Sequence, residues 1–240
     1  MTQIIAIANH KGGSGKTTTT YYLGLALTKA GRSVLLIDLD DQGTLTSRLH
    51  DVAPPPEFTV ADVLDGRLLA DAIYNHPAIG HLQYVCADHR LAWIAARLQA
   101  SSPNHAFLRQ AWQRARLDSG YDYLLLDCPP SAGVMLINAL ALADAVIIPA
   151  TPTEESYAGL LRMERMIDDV GSILNHDVRS LGAVLTMTSP ASASEQHYID
   201  LLEHMSLGSV PRRVGRDADD QLRAAYARIA GALLSQEESC

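Results

Sequence analysis

The stretch Ile4-Ile5-Ala6-Ile7-Ala8 runs without interruption into Asn9-His10-Lys11-Gly12-Gly13-Ser14-Gly15-Lys16-Thr17-Thr18. Five apolar residues bounded by a polar, glycine-rich turn read as a buried strand, and the residues from Lys16 onward read as a helix. Gly12, Gly13 and Gly15 permit backbone angles and close approaches that a Cβ blocks, so successive N–H groups around Ser14 can converge on phosphate oxygens. The first turn of the helix, Lys16 to Thr18, adds unpaired N–H groups and a positive dipole end. Lys16 supplies a point charge to the β and γ phosphates, and the Thr17 hydroxyl is a ligand for Mg2+. A plain glycine-rich turn requires neither the Lys-Thr pair nor a strand before it and a helix after it. The stretch therefore predicts a nucleotide site in an α/β fold.

Lys11 is a second lysine, at the start of the loop and five residues before Lys16. From the outward side of the loop it can reach a phosphate held by a facing subunit, which would make a dimer the active unit. With this residue the run Lys11 to Thr17 resembles the KGGxGKT signature of the ParA/MinD family of deviant Walker A ATPases. The segment Ser33 to Thr46 resembles that family's second strand and DxDPQG switch, with Asp41 where proline is usual. Tyr121 to Ser131 resembles its Walker B strand and loop, and Asp144 to Glu155 the strand and loop that follow. ParA-type partition proteins fit best within the family.

The carboxylates make chemical sense on their own. Asp38 and Asp40 end an apolar strand beside the phosphate loop, so both would face the γ phosphate and its metal. Asp40 is the candidate for orienting the attacking water, because phosphoryl transfer rests mainly on alignment and charge stabilisation. Asp38 supports metal or switch, with a simple turn or helix cap as the alternative. Asp127, after four apolar or aromatic residues, would bind Mg2+ through water at the end of a third strand.

The chain has 240 residues, 48% of them hydrophobic and 5% aromatic, enough for one sizeable α/β domain. Strands are expected at Ile4–Ala8, Val34–Asp38, Leu82–Cys86, Leu124–Asp127, Ala145–Pro149, Ala183–Thr186 and Ser209–Pro211. Helices are expected at Lys16–Ala30, Leu91–Gln99, Ala106–Leu117, Met135–Leu142, Tyr157–Leu174, Ser194–Met205 and Ala218–Ser235. Their alternation predicts a mainly parallel twisted sheet with helices on both faces, a single P-loop ATPase domain over residues 1–240. Pro54-Pro55-Pro56 reads as a loop, not a linker. No signal peptide or membrane-spanning run is visible, which favours a cytoplasmic protein. Cys86, Cys128 and Cys240 lack metal-ligand spacing and read as reduced thiols.

The resemblance implies ATP and Mg2+ as ligands, an ATP-dependent homodimer, nonspecific double-stranded DNA, a ParB-like centromere-binding partner and a nucleoid-associated location. It places Pro211 and Arg212 in a loop beside the adenine. The formal net charge of −8 fits poorly with DNA, but a local patch matters more than the total. Arg162, Arg165, Arg212, Arg213, Arg216 and Arg223 are the candidate contacts. The region after Arg213 looks shortened relative to the family, and no N-terminal DNA-binding domain precedes the phosphate loop. Two other readings remain open: a MinD-like membrane-cycling ATPase, for which the acidic tail from Ser235 is unfavourable, and a dethiobiotin-synthetase-like metabolic enzyme.

Overall fold

A computed structural model describes residues 1–50, 55–101, 106–117, 120–174, 176–189, 193–212 and 217–237. The first apolar run forms β1 (Gln3–Ile7), and its alternation divides it between two cores: Ile4 and Ala6 face one side, Ile5 and Ile7 the other. Successive side chains of a strand point to opposite faces, so a strand apolar throughout is stable only when both faces are covered. β2 (Val34–Asp38) and β5 (Tyr123–Asp127) follow the same rule, with every residue buried.

Among the described residues, these strands lie at the centre of an eight-stranded sheet completed by β3 (Ile73–Asn75), β4 (Leu82–Val85), β6 (Ala145–Ala150), β7 (Arg179–Thr188) and β8 (Ser206–Pro211). The order is β3-β4-β2-β5-β1-β6-β7-β8. Every pairing is parallel except that of β3 with β4. β5 is threaded between β2 and β1, and its register sets Asp127 opposite both Asp38 and Ile7.

Helices cover both faces. α1 (Lys16–Lys29), α2 (Thr44–Leu49) and α9 (Ala218–Glu237) lie on one, packing Leu23, Leu27, Leu45, Tyr226 and Ile229 against Ile5, Ile7, Leu36 and Leu125. α3 (Val60–Leu64), α4 (Arg90–Ser101), α5 (Phe107–Ala115), α6 (Val134–Leu142), α7 (Glu154–Leu174) and α8 (Ala193–Glu203) lie on the other, through residues such as Leu108, Leu136, Met163 and Leu202. Each such buried side chain stabilises the fold by about 1.5–3 kcal/mol. Leu23, with no exposed surface, sits where truncation to Ala would cost roughly 2–5 kcal/mol.

The expected elements are present with shifted ends. α7 begins at Glu154 rather than Tyr157, because Glu154 and Glu155 suit the positive N-terminal turn and the Thr153 hydroxyl accepts the Ser156 N–H at 3.3 Å. β8 begins at Ser206 rather than Ser209, since Ser206-Leu207-Gly208 carries little apolar pattern and is set by pairing with β7. β3, α2, α3 and a 3-10 turn at Leu69–Ala72 were not expected. They are three to six residues long, too short to display a period. α3 is held by a reciprocal cap in which Asp62 accepts the Thr59 N–H at 2.9 Å. Pro55 and Pro56 lie outside regular structure before α3, while Pro54 falls outside the described residues. Among the described residues, no helix is long and apolar enough to cross a membrane.

Candidate nucleotide site

The loop between β1 and α1 forms an open concavity. Gly13 and Gly15 have φ of 73° and 97°, the left-handed region that side chains strain to adopt. Nothing lies within 4 Å of where a Cβ on Gly12 or Gly13 would stand, so a ligand can approach their backbone. The loop is fastened at both ends. At its entry, the buried Asn9 amide donates to the Pro149 carbonyl of β6 at 2.7 Å and its oxygen accepts the Lys11 N–H at 2.9 Å. At its exit, the Thr186 hydroxyl of β7 donates to the Ser14 carbonyl at 2.7 Å. Neither fastening residue is evident in the sequence, apart from the polar side chain of Asn9 directly after an apolar strand.

A cavity of about 290 Å³ opens over the loop, lined by Gly12, Gly13, Gly15, Lys16, Thr17, Thr18, Asp40, Thr44, Arg48, Pro130 and Met187. Beside it, and sharing Gly15, Thr18 and Met187, is a mainly apolar cavity of about 180 Å³ whose other walls are Thr186, Val210, Pro211, Leu222 and Tyr226. A polar hollow over a helix N-terminus joined to an apolar slot suits a polyphosphate attached to a flat base. Pro211 is thus placed where the base would lie. Arg212 instead reaches Glu195 of α8 at 3.6 Å. The wall from α9 is tied to α1 by the buried pair Thr19 and Tyr226, whose hydroxyls are 2.8 Å apart.

Lys16 is buried, its ammonium donating to the Lys11 carbonyl at 3.2 Å. Burial lowers its pKa, opposed by the carboxylates of Asp127 and Asp40. Asp127 has no exposed surface; Thr20 donates to its Oδ1 at 3.3 Å, while its Oδ2 and the Ser14 Oγ are buried without a protein partner. Burial, then the facing charge of Asp38, pushes the Asp127 carboxyl up to about 8, against hydrogen bonds from Thr17 and Thr20. An orphaned carboxylate oxygen beside the Thr17 hydroxyl is the arrangement a hydrated divalent cation fits.

Asp38 is differently employed. Its Oδ1 accepts the Asp40 N–H at 3.1 Å, and its Oδ2 accepts both the N–H and the hydroxyl of Thr46 at 2.8 Å. These are cap contacts that fix the segment 40–46, and burial still raises its pKa to about 6. Thr46 extends the tie by accepting the Ala87 N–H at 2.8 Å. Asp40 stands half-buried at the cavity wall, accepting the Gln42 N–H at 3.0 Å, with its pKa raised mainly by burial. Cys128 is buried, and burial raises its thiol pKa, as a packing residue would have it. No group of three or more His, Cys, Asp or Glu suited to a metal is found among the described residues; a cation here would rely on Thr17, Asp127 and the nucleotide.

Lys11 does not turn into this cavity. Its ammonium pairs with Glu155 of α7 at 2.9 Å and reaches the Thr153 hydroxyl at 3.5 Å.

The sequence and the fold are matched by known proteins. The model of a family described as an AAA domain matches residues 2–180. Chromosome partitioning protein ParA of Caulobacter vibrioides is 38% identical over 204 residues, 84% of this chain and 76% of that protein. The chain belongs to the ParA family. A second relative, sporulation initiation inhibitor protein Soj of Bacillus subtilis, is 36% identical over 187 residues, covering 78% of this chain and 73% of Soj. The crystal structure of a cobyrinic acid a,c-diamide synthase from Mycobacterium smegmatis, with bound ADP and magnesium, is 32% identical and has a TM-score of 0.86 over 100% of this chain and 96% of that one.

Against that ParA-family background the arginines are dispersed. Arg162 and Arg165 are exposed on α7, and Arg162 helps to lower the pKa of His10 beside the loop, after burial. Arg223 of α9 pairs with Asp219 at 2.6 Å. Arg213 and Arg216 lie outside the described residues. Arg48, which lines the cavity over the loop, carried no sequence signal, because α2 is too short to reveal which way its residues face.

Proposed function

We propose that this chain is a ParA-type partition ATPase, a single P-loop domain that acts as an ATP-driven dimer switch on DNA. The observation that carries this reading is the convergence of Lys16, Thr17, Asp40 and Asp127 around one glycine loop. Backbone N–H groups of residues 12–18 and the Lys16 ammonium would hold the phosphates, and the apolar slot containing Pro211 would hold the adenine. Mg2+, bound by Thr17 and through water by Asp127, would neutralise charge on the β and γ oxygens. Asp40 would orient the attacking water. Asp38, through Thr46, would keep Asp40 and α2 in register with the end of β2.

Lys11 supports the dimer. Its bond to Glu155 is at the surface, with the glutamate side chain 72% exposed, and such pairs are worth about 1 kcal/mol or less. A phosphate on a facing subunit can displace it. The closed dimer would bind nonspecific double-stranded DNA, and a ParB-like partner would stimulate hydrolysis and release. A nucleoid-associated cytoplasmic protein follows from that cycle.

The test is a titration of labelled duplex DNA with ATP and with ADP at several salt concentrations, with Lys16→Ala as the nucleotide-free control. ATP-dependent binding should be insensitive to sequence and weaken with salt, with a log–log slope of about 0.9 per phosphate neutralised. Equal weak binding with ATP, ADP and Lys16→Ala would reject the DNA carrier. The name of the Mycobacterium relative favours a second reading, an ATP-dependent amide-forming synthase. ADP release that rises with a carboxylic acid and an amine donor, and not with DNA, would select it.

A further inference from the structure

Thr186 is the residue by which β7 meets the phosphate loop, and only 3% of its surface is exposed. Its hydroxyl donates to the Ser14 carbonyl at 2.7 Å across 172 residues of chain. Its methyl carbon lies 3.1 Å from where a Cβ on Gly15 would stand. The peptide unit joining Ser14 to Gly15 is therefore gripped from one side by both branches of a single side chain. In a trans peptide the C=O and the following N–H point in opposite directions. A Ser14 carbonyl drawn toward β7 consequently turns the Gly15 N–H away from β7 and toward the open side of the loop, where Gly12 and Gly13 are also unobstructed.

We propose that Thr186 is a positioning residue of the phosphate cradle, which aims the Gly15 N–H at a bound phosphate by holding the Ser14 carbonyl. This inference rests on the nucleotide-binding reading. The grip matters because the loop has two residues in the left-handed region, Gly13 and Gly15, and glycine peptides reorient readily. Binding to an unfastened loop must bear the entropic cost of ordering it; binding to a fastened one does not. Thr186 also lines the apolar slot, so its action on phosphate must be separated from any action on the base.

Thr186→Val retains the branched shape and removes the hydroxyl; Thr186→Ser retains the hydroxyl and removes the methyl. Affinity is measured with a fluorescent ATP analogue and by its displacement with Mg2+ tripolyphosphate, which has phosphates and no base. Thr186→Val should bind both about tenfold more weakly, the size of effect that loss of a buried hydrogen bond produces. Thr186→Ser should stay within about twofold of wild type. Wild-type affinity in Thr186→Val with only a lowered melting temperature would mean a structural role and overturn the proposal. So would Thr186→Ser as weak as Thr186→Val, or a loss confined to the ATP analogue. In wild-type protein, the Gly15 amide resonance should move on addition of Mg2+ tripolyphosphate, a readout that needs no variant; an unmoved resonance in a saturated sample would also overturn it. Failure of the wild type to bind either probe would overturn the nucleotide reading itself.

Discussion

Replacing Asp127 with Asn should stabilise the nucleotide-free protein at alkaline pH and abolish its response to Mg2+ and ATP. The carboxylate has no exposed surface, one oxygen without a protein partner, and Asp38 opposite it in the sheet. Burial and that neighbour raise its pKa from the ordinary 3.8 to about 8. A carboxyl raised in this way binds its proton more tightly when folded, so the fold bears no penalty below pH 3.8, a growing one between 3.8 and about 8, and a constant one above. At about 1.36 kcal/mol per pH unit the full interval corresponds to an upper limit of roughly 6 kcal/mol. Local relaxation and water entry reduce that, and about 2 kcal/mol at pH 8, or roughly 4–8 °C in melting temperature, is a reasonable expectation. Asn is neutral at every pH and nearly isosteric, so it escapes the penalty. Thermal unfolding in EDTA at pH 5 and pH 8 should show the Asp127→Asn advantage growing with pH. Adding Mg2+ and ATP should raise the melting temperature of wild type and leave the variant unmoved. An Asp127→Asn protein less stable than wild type at pH 8, or an advantage equal at both pH values, would falsify the assignment of a strained buried anion.

Asp40→Ala should keep nucleotide affinity within about threefold and lower ATP turnover by two or more orders of magnitude, with dimer accumulating; measured kcat near wild type would remove Asp40 from the chemistry. Lys11→Ala breaks the surface pair with Glu155 and the 3.5 Å contact with the Thr153 hydroxyl in the monomer, so it should cost no more than about 1 kcal/mol of stability. The same variant should weaken dimerisation in ATP, read by light scattering, with monomer nucleotide affinity nearly preserved; normal dimers would end the cross-subunit role.

The phosphate loop was legible because its chemistry is contiguous: strand, glycines, lysine and threonine fall within fifteen residues, and local backbone geometry follows from them. The strands were legible because β1, β2, β5 and β6 are apolar on both faces, a pattern that only a doubly covered parallel sheet sustains. Short elements escaped. α2 exists because Asp38 caps it through Thr46, a contact eight residues away that no periodicity announces. Asp38 could be read equally as a metal neighbour or a cap; the three hydrogen bonds it accepts in the fold are the contacts of a cap.

What the sequence determined by itself was the cradle and the covered parallel sheet, since both rest on residues close together and on side-chain polarity. Only the tertiary structure decided how the three carboxylates are set around the loop. That depends on β5 lying between β2 and β1, so that Asp127 pairs with Ile7, directly before the loop, while Asp38 is one strand further away. The same long-range ordering brings Thr186 and Tyr226, remote in sequence, onto Ser14 and Thr19. Strand order is set by the burial of whole faces rather than by any residue's own preference, and it is therefore invisible until the chain has packed.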